Sequence, residues 1–308
     1  LAHHSVLNKA FLHITVAFWM ALSATLYGQT DFHWWNTTHN WDGVSTWHSY
    51  MHFEPGRMGP NALPVPETRR GLIDSTISMV LAPDFYTAPN DFTAGMFTQI
   101  SIPFKEVVSL QIWWVPVEYF NTDTIVRDYR AARTREAEGI ARGDVYIGTV
   151  IQVLRDVPGW PDLALGINIK SASGGGLSDA RHTNAPGYFF DLSGGKTLHL
   201  KQGHRLRLFA MGGFYVYQTN RVDYFQNDAV MWGMGGTWLS PGQWKASLDL
   251  SGYIGYIGPL DRPAVIRAEL RSPVWRNMEW HARYLRGNTS FPFTGIRIGG
   301  TYHFPWAL

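Results

Sequence analysis

Along Arg205–Phe214, R-L-R-L-F-A-M-G-G-F, polar or small residues at Arg205, Arg207, Met211 and Gly213 alternate with apolar or small ones at Leu206, Leu208, Ala210, Gly212 and Phe214. Successive side chains of a strand point to opposite faces, so this two-residue period predicts a strand between two different surroundings. The same period returns at Leu163–Lys170, Trp244–Ser251 and Gly295–Phe304. From Ile73 onward it predicts twelve strands, over 73–81, 91–101, 106–119, 143–154, 161–171, 187–199, 204–217, 228–239, 243–254, 263–271, 277–286 and 294–305. Gly194-Gly195-Lys196 interrupts the sixth and predicts a bulge there.

The connections alternate in length. Those after even-numbered strands are short: 102–105, 155–160, 200–203, 240–242 and 272–276. Those after odd-numbered strands are mostly longer: 82–90, 120–142, 172–186, 218–227, 255–262 and 287–293. Short inner turns and long outer loops are the mark of a transmembrane barrel. Aromatic residues collect at the strand ends. Trp160, Trp238, Trp244, Trp275 and Trp306 fall at or beside the short turns and the C-terminus. Tyr119, Phe120, Tyr188, Tyr217, Tyr253 and Phe293 fall at the opposite ends. Rings at both headgroup levels are expected of a membrane barrel. The expected fold is all-β: a single transmembrane antiparallel up-and-down β-barrel of about twelve strands over 73–308, in a bacterial outer membrane.

Composition agrees. Charged residues make up 16% of the 308 residues and aromatics 15%, with 14 Trp and 31 Gly. The mean hydropathy of −0.15 excludes a bundle of membrane helices. A net charge of +2 gives no basic patch for nucleic acid. With no cysteine there is no disulfide, thiolate metal site or thiol nucleophile.

The first 72 residues differ from the rest. Lys9, the apolar run Ala10–Leu22 and the small residues up to Gly28 read as a signal peptide over 1–28. Residues 29–72 read as a Trp- and Pro-rich periplasmic extension or plug. Pro55–Glu67 holds four prolines in thirteen residues, which excludes a helix interior or a central strand. The favoured placement is outside the wall, against the barrel rim; a plug in the periplasmic mouth and a Trp-lined sugar platform are the alternatives. His33, His39, His48 and His52 match no metal-ligand spacing, and no cofactor or metal is expected.

With apolar positions facing lipid, the other parity lines the lumen. It carries Arg205, Arg207, Lys245, Asp249, Arg267, Glu269, Arg271, Glu279, His281, Arg283 and Arg297. Buried charge must pair or meet water. Two readings follow: Arg–Glu pairs that stitch the strands and nearly close the lumen, or a narrow basic path favouring anions. In the long loop 120–142, Ala131–Glu138 predicts a short helix with paired charges. That loop serves either as a constriction over the mouth or as a solvated surface meeting lipopolysaccharide.

At Gly143–Gly174 the chain reads G-D-V-Y-I-G-T-V-I-Q-V-L-R-D-V-P-G-W-P-D-L-A-L-G-I-N-I-K-S-A-S-G, and Gly187–Leu198 continues G-Y-F-F-D-L-S-G-G-K-T-L. A strand opening on Gly-Asp, a Trp-Pro-Asp turn and a return strand ending Lys-x-x-x-Gly resemble the outer-membrane barrel porins associated with meta-pathway phenol degradation. The resemblance covers about residues 140–308. It implies a pore with aromatic compounds as one cargo class, and it assigns no site residue.

The expected function is an outer-membrane pore for small polar, anionic or aromatic solutes, surrounded by outer-membrane lipid and lipopolysaccharide. A structural or adhesin-like barrel is the alternative. A lipid-modifying enzyme is disfavoured, because His281 and His303 face inward and no lipid-facing Ser–His pair adjoins them.

Overall fold

The computed structural model describes residues 31–305. The expected signal peptide and Trp306 lie outside the described residues. The chain divides into two compact units at Asn40. In the first, the described residues carry a short helix, α1 (His33–Thr38).

The second unit is a closed antiparallel barrel. Its strands are β1 (Ser78–Ala88), β2 (Asp91–Phe104), β3 (Val108–Trp114), β4 (Glu118–Thr122), β5 (Glu138–Ala141), β6 (Tyr146–Leu154), β7 (Asp162–Lys170), β8 (Gly187–His199), β9 (Arg205–Gln218), β10 (Gln226–Leu239), β11 (Lys245–Ile254), β12 (Ala264–Arg271), β13 (Met278–Gly287) and β14 (Thr294–His303). Each pairs with its neighbours, and β1 pairs with both β2 and β14, which closes the sheet. β3 and β4 both lie along β2, with Val115-Pro116-Val117 between them. β5 and β6 lie along β4 and β3 in turn. These four segments are therefore two interrupted staves, and the barrel has twelve. The interruption at Pro116 is local chemistry: proline has no N–H to give the ladder.

Three local expectations are corrected. The first strand begins at Ser78 rather than at 73 and runs through Pro83 to Ala88. The expected loop 82–90 is thus mostly strand, closed by a two-residue turn at Pro89-Asn90 with Asn90 at φ 57°. Asparagine tolerates that left-handed backbone better than most residues. β8 pairs in unbroken register through Gly194-Gly195, so no bulge lies there. The register shift falls instead between Gln152 and Leu154 on β6. In the long loop the helix is α2 (Thr124–Tyr129), not Ala131–Glu138. Asp123 caps it by accepting the Val126 N–H at 2.7 Å, and Ala131 at φ 53° follows its end.

The outward parity is apolar and exposed, with Leu81, Phe85, Ile147, Leu192, Leu208, Leu248 and Ile296 among it. Trp160, Trp238, Trp244 and Trp275 are exposed near the short turns. The opposite set divides. Tyr119 and Tyr188 face outward, whereas Phe120, Tyr217, Tyr253 and Phe293 are buried. The inside is consequently more aromatic than a water-filled channel requires. Tyr146 stacks on Trp113 at 5.1 Å, and Tyr215 meets Phe189, Tyr217 and Tyr253 at 5.7, 5.3 and 5.2 Å between ring centroids.

Candidate functional site: a threaded lumen

The later part of the extension does not sit on the rim. Residues 51–73 run through the barrel from the long-loop end to the short-turn end, and the wall holds them throughout. At the long-loop end Arg221 donates to the Met51 carbonyl at 3.2 Å and the Tyr217 hydroxyl to the Phe53 carbonyl at 3.3 Å. Midway, Arg267 donates to the Val65 carbonyl at 2.6 Å and the Ser251 hydroxyl to the Pro66 carbonyl at 3.1 Å. At the short-turn end Arg207 donates twice to the Arg70 carbonyl, at 2.9 and 2.7 Å, and the Ile73 N–H donates to Gln152 at 3.1 Å. The prolines explain this dependence on the wall. Apart from two turns, closed by the Arg57 N–H to the Glu54 carbonyl at 2.9 Å and the Ala62 N–H to the Gly59 carbonyl at 3.1 Å, a proline-rich chain has few donors of its own, so its buried carbonyls need outside ones.

Arginine side chains of the segment reach back. Arg69 donates to Asp191, Gln111 and Asn168 at 3.0, 3.0 and 2.8 Å. Two glycines allow the approach. Gly71 has φ +73°, and a Cβ there would lie 2.7 Å from the Gly195 nitrogen. A Cβ on Gly195 would lie 2.4 Å from the Arg70 carbonyl oxygen. Backbone touches backbone at this point, which only glycine permits.

Most of the charged residues expected in the lumen meet in one network on β11–β14. Lys245 donates to Glu279 at 2.7 Å. Arg271 bridges Glu269 at 2.9 Å and Glu279 at 3.2 Å. Arg267 pairs with Asp249 at 3.3 Å. Arg283 pairs with Glu269 at 3.2 Å and with Glu67 of the threaded segment at 2.5 Å. Arg297 pairs with Asp84 at 3.1 Å and lies 3.6 Å from Glu67. Arg70 adds a contact to Glu269 at 3.5 Å. Six cations (Arg70, Lys245, Arg267, Arg271, Arg283, Arg297) thus face five carboxylates (Glu67, Asp84, Asp249, Glu269, Glu279). His281 is buried on the same wall. Arg207 stands apart, bonded to Asp162 at 2.8 Å, and Arg205 is exposed at the start of β9.

Three partners were missed in the sequence. Asp84 lay in the stretch read as a loop. Asp191 has the inward parity of β8, the strand in which a bulge was expected. Glu67 lay in the extension, whose path no short-range pattern reveals.

Beside the segment a cavity of about 400 Å³ remains. Tyr86, Phe97, Trp113 and Phe291 line it, together with Arg283 and Arg297. The long-loop end holds a second, separate set of ion pairs. Arg130 and Arg181, both buried, hold Asp91 at 2.5 and 3.5 Å, and Arg181 donates to Glu118 at 2.9 Å. Asn61 of the segment donates to the same Glu118 at 2.6 Å. His182, 3.7 Å from Glu118, has its pKa lowered, chiefly because burial disfavours the imidazolium. The loop carboxyl of Asp261 is raised to about 6, again by burial first, although Tyr217, Asn227 and Ile257 donate to it. Loop 120–142 thus turns Arg130 inward rather than presenting every arginine to the surface, and Arg133 packs over the Trp47 ring at 5.6 Å. Among the described residues no group of three or more His, Asp or Glu is placed to hold a metal ion.

Fold and lumen together define a closed twelve-stave barrel occupied by its own N-terminal segment. No protein-family model matches the chain, and no curated sequence matches it significantly. Among solved structures it is similar to an outer membrane channel from Pseudomonas putida F1, at a TM-score of 0.53 and 10% identity, over 78% of this chain and 100% of that one. Looser matches are the transport unit of the autotransporter AIDA-I from Escherichia coli (TM-score 0.48, 9% identity, 83% of this chain and 100% of that one) and a KdgM porin in complex with oligogalacturonate (0.42, 11%, 74% and 99%). At such identities the likeness is one of fold. It supports the barrel half of the resemblance seen in the sequence and does not extend to the phenol-degradation family.

Proposed function

We propose that the protein is a narrow pore for small polar, anionic or aromatic solutes, set in a bacterial outer membrane among outer-membrane lipid and lipopolysaccharide. The observation that carries this reading is the cavity left between the threaded segment and the wall. It is lined by aromatic rings and by charged groups of both signs, guanidinium groups among them, rather than filled by core side chains. The apolar outer wall, bounded by exposed tryptophans at the short turns, supports the membrane setting.

Two measurements test this. Purified protein in planar lipid bilayers is expected to give small, discrete conductance steps; bilayers that stay silent with correctly folded barrel overturn the pore. Leu248→Arg places a charge on the outer wall, where Leu248 is 55% exposed. At mid-membrane depth that costs about 2–4 kcal/mol, so folding into vesicles should fall in a heat-shift gel assay while Leu248→Phe stays near wild type. Equal folding of both variants would place this face away from lipid. Ser247, the inward neighbour, is no neutral comparison. Its hydroxyl accepts from Arg70 at 3.2 Å and lies 2.9 Å from the Thr237 hydroxyl, so a substitution there breaks two contacts of its own.

One observation favours the structural alternative. The carboxylates Asp91 and Glu118 at the long-loop end are fully paired with Arg130, Arg181 and Asn61, which makes a seal. Silent bilayers would select that reading.

A further inference from the structure

The Glu67 carboxylate is placed unlike the other acids of the network. It comes from the threaded segment, not from the wall, and its side chain is 55% exposed toward the cavity, against 14% for Arg283 and 13% for Arg297. Arg283 grips it with two prongs, Nη1 to Oε1 at 2.5 Å and Nη2 to Oε2 at 3.2 Å. Arg297 approaches Oε1 at 3.6 Å, its own position fixed by Asp84 and by the Phe97 ring, 3.8 Å from its guanidinium carbon. A planar fork closing on both oxygens is how proteins recognise carboxylates. The Nε atoms of Arg283 and Arg297 are buried and have no protein partner, so the pair retains donor capacity that Glu67 does not use.

We propose that Arg283 and Arg297 form a binding site for small organic carboxylates, which Glu67 occupies as an internal stand-in until a solute takes its place. The proposal deepens the pore reading and rests on it for its role in transport.

Charge balance supports the exchange. With Glu67 seated, six cations face five carboxylates. If the Glu67 side chain alone turns away from Arg283 and Arg297 while Arg70 stays in place, the same six face four. Low-dielectric walls focus that excess, so the vacated site demands an anion and a neutral solute cannot satisfy it. Beside the guanidinium pair, Tyr86 and Phe97 line the cavity and offer an apolar wall to the body of the solute. A ring bearing one carboxylate, such as benzoate, fits both features.

The test uses full-length protein in detergent, titrated calorimetrically with benzoate and with its uncharged isostere benzamide. Glu67→Ala removes the tethered competitor, so benzoate should bind it about tenfold more tightly than wild type, since a tethered group competes at high effective concentration. Benzamide should bind neither protein. Adding Arg283→Gln and Arg297→Gln to Glu67→Ala should abolish benzoate binding while the heat-shift gel still shows a folded barrel. Wild type is a readout of its own, because it should bind benzoate weakly but saturably. Benzoate binding no tighter in Glu67→Ala, equal binding of benzamide, or no saturable binding to either folded protein overturns the site. Bilayer conductance separates the two readings. Conductance without benzoate binding sinks the site and leaves the pore; benzoate binding without conductance supports the site and sinks the pore.

Discussion

Replacing Gly195 with valine is expected to open the barrel. A Cβ at this position would lie 2.4 Å from the Arg70 carbonyl oxygen and 2.7 Å from the Arg207 guanidinium, far inside contact distance. The first obstacle is backbone, and the backbone cannot swing away as a side chain can. The neighbouring Gly71 is pinned equally closely, 2.7 Å from both the Asp162 carbonyl and the Gly195 nitrogen when given a Cβ. Something must move, and the segment is the weaker element. Strand β8 is held on both sides by unbroken ladders to β7 and β9. The segment's inner end rests on side-chain contacts alone: two hydrogen bonds from Arg207 to the Arg70 carbonyl, one from Gln152 to the Gly71 carbonyl, and those of its own Arg69 to the wall. Valine suits a strand, and overpacking costs about 1–3 kcal/mol, enough to shift the seated population by one or two powers of ten. Single-channel conductance should therefore rise several-fold over wild type, with heat-shift behaviour unchanged. Gly194→Val is the control. Its Cβ would meet the Leu163 side chain at 3.2 Å on the outer wall and the Asp162 carbonyl at an ordinary 3.8 Å, so it should leave conductance alone. A Gly195→Val channel indistinguishable from wild type would show that the segment does not limit the passage.

The staves were legible where two surroundings alternate cleanly. β7, β9, β11 and β14 each repeat an apolar-out, polar-in period that no helix or buried strand would show. Where proline interrupts the period, the reading failed. From Pro83 on, the second half of β1 reads as a loop, and Asp84 was lost with it although it pairs with Arg297 at 3.1 Å. Tyr217 is more instructive. It shares the parity of Arg205 and Arg207, which already placed it inside. The habit of putting aromatics at headgroup level overrode that parity, and the ring is 1% exposed. The threaded segment was legible in composition and illegible in position. Four prolines exclude it from the wall, but its partners are remote: Arg69 meets Asp191 across 122 positions and Glu67 meets Arg283 across 216. Only tertiary structure brings such groups together. The charged patch was found for the same reason that strands were found, and its balance was misjudged because two of its acids, Asp84 and Glu67, lay in stretches not read as strand.

The seal at the long-loop end carries the largest expected change in stability. Arg181 is fully buried and is the centre of that seal. It donates to Glu118 at 2.9 Å and to the Thr93 hydroxyl at 2.5 Å, lies 3.5 Å from Asp91, and packs over the Phe120 ring at 4.9 Å. Its guanidinium also presses on the segment, since a Cβ at Gly59 would lie 2.7 Å from its carbon. Arg181→Met keeps much of the volume and removes the charge. Asp91 still has Arg130, but buried Glu118 is left with Asn61 at 2.6 Å and a largely neutral His182. Breaking a buried pair by removing one partner costs about 3–5 kcal/mol, because the remaining ion is neither solvated nor neutralised. Urea unfolding of the refolded barrel should show that loss as a lower midpoint with an unchanged slope. The double variant Glu118→Gln with Arg181→Met removes both ions and leaves a neutral amide that Asn61 can still engage. It should recover most of the loss, since replacing a whole buried pair is far cheaper than splitting it. Single-variant destabilisation below about 1 kcal/mol would mean that the site is wet and the seal is not closed. A double variant worse than the single would mean that Glu118 is held by groups other than Arg181.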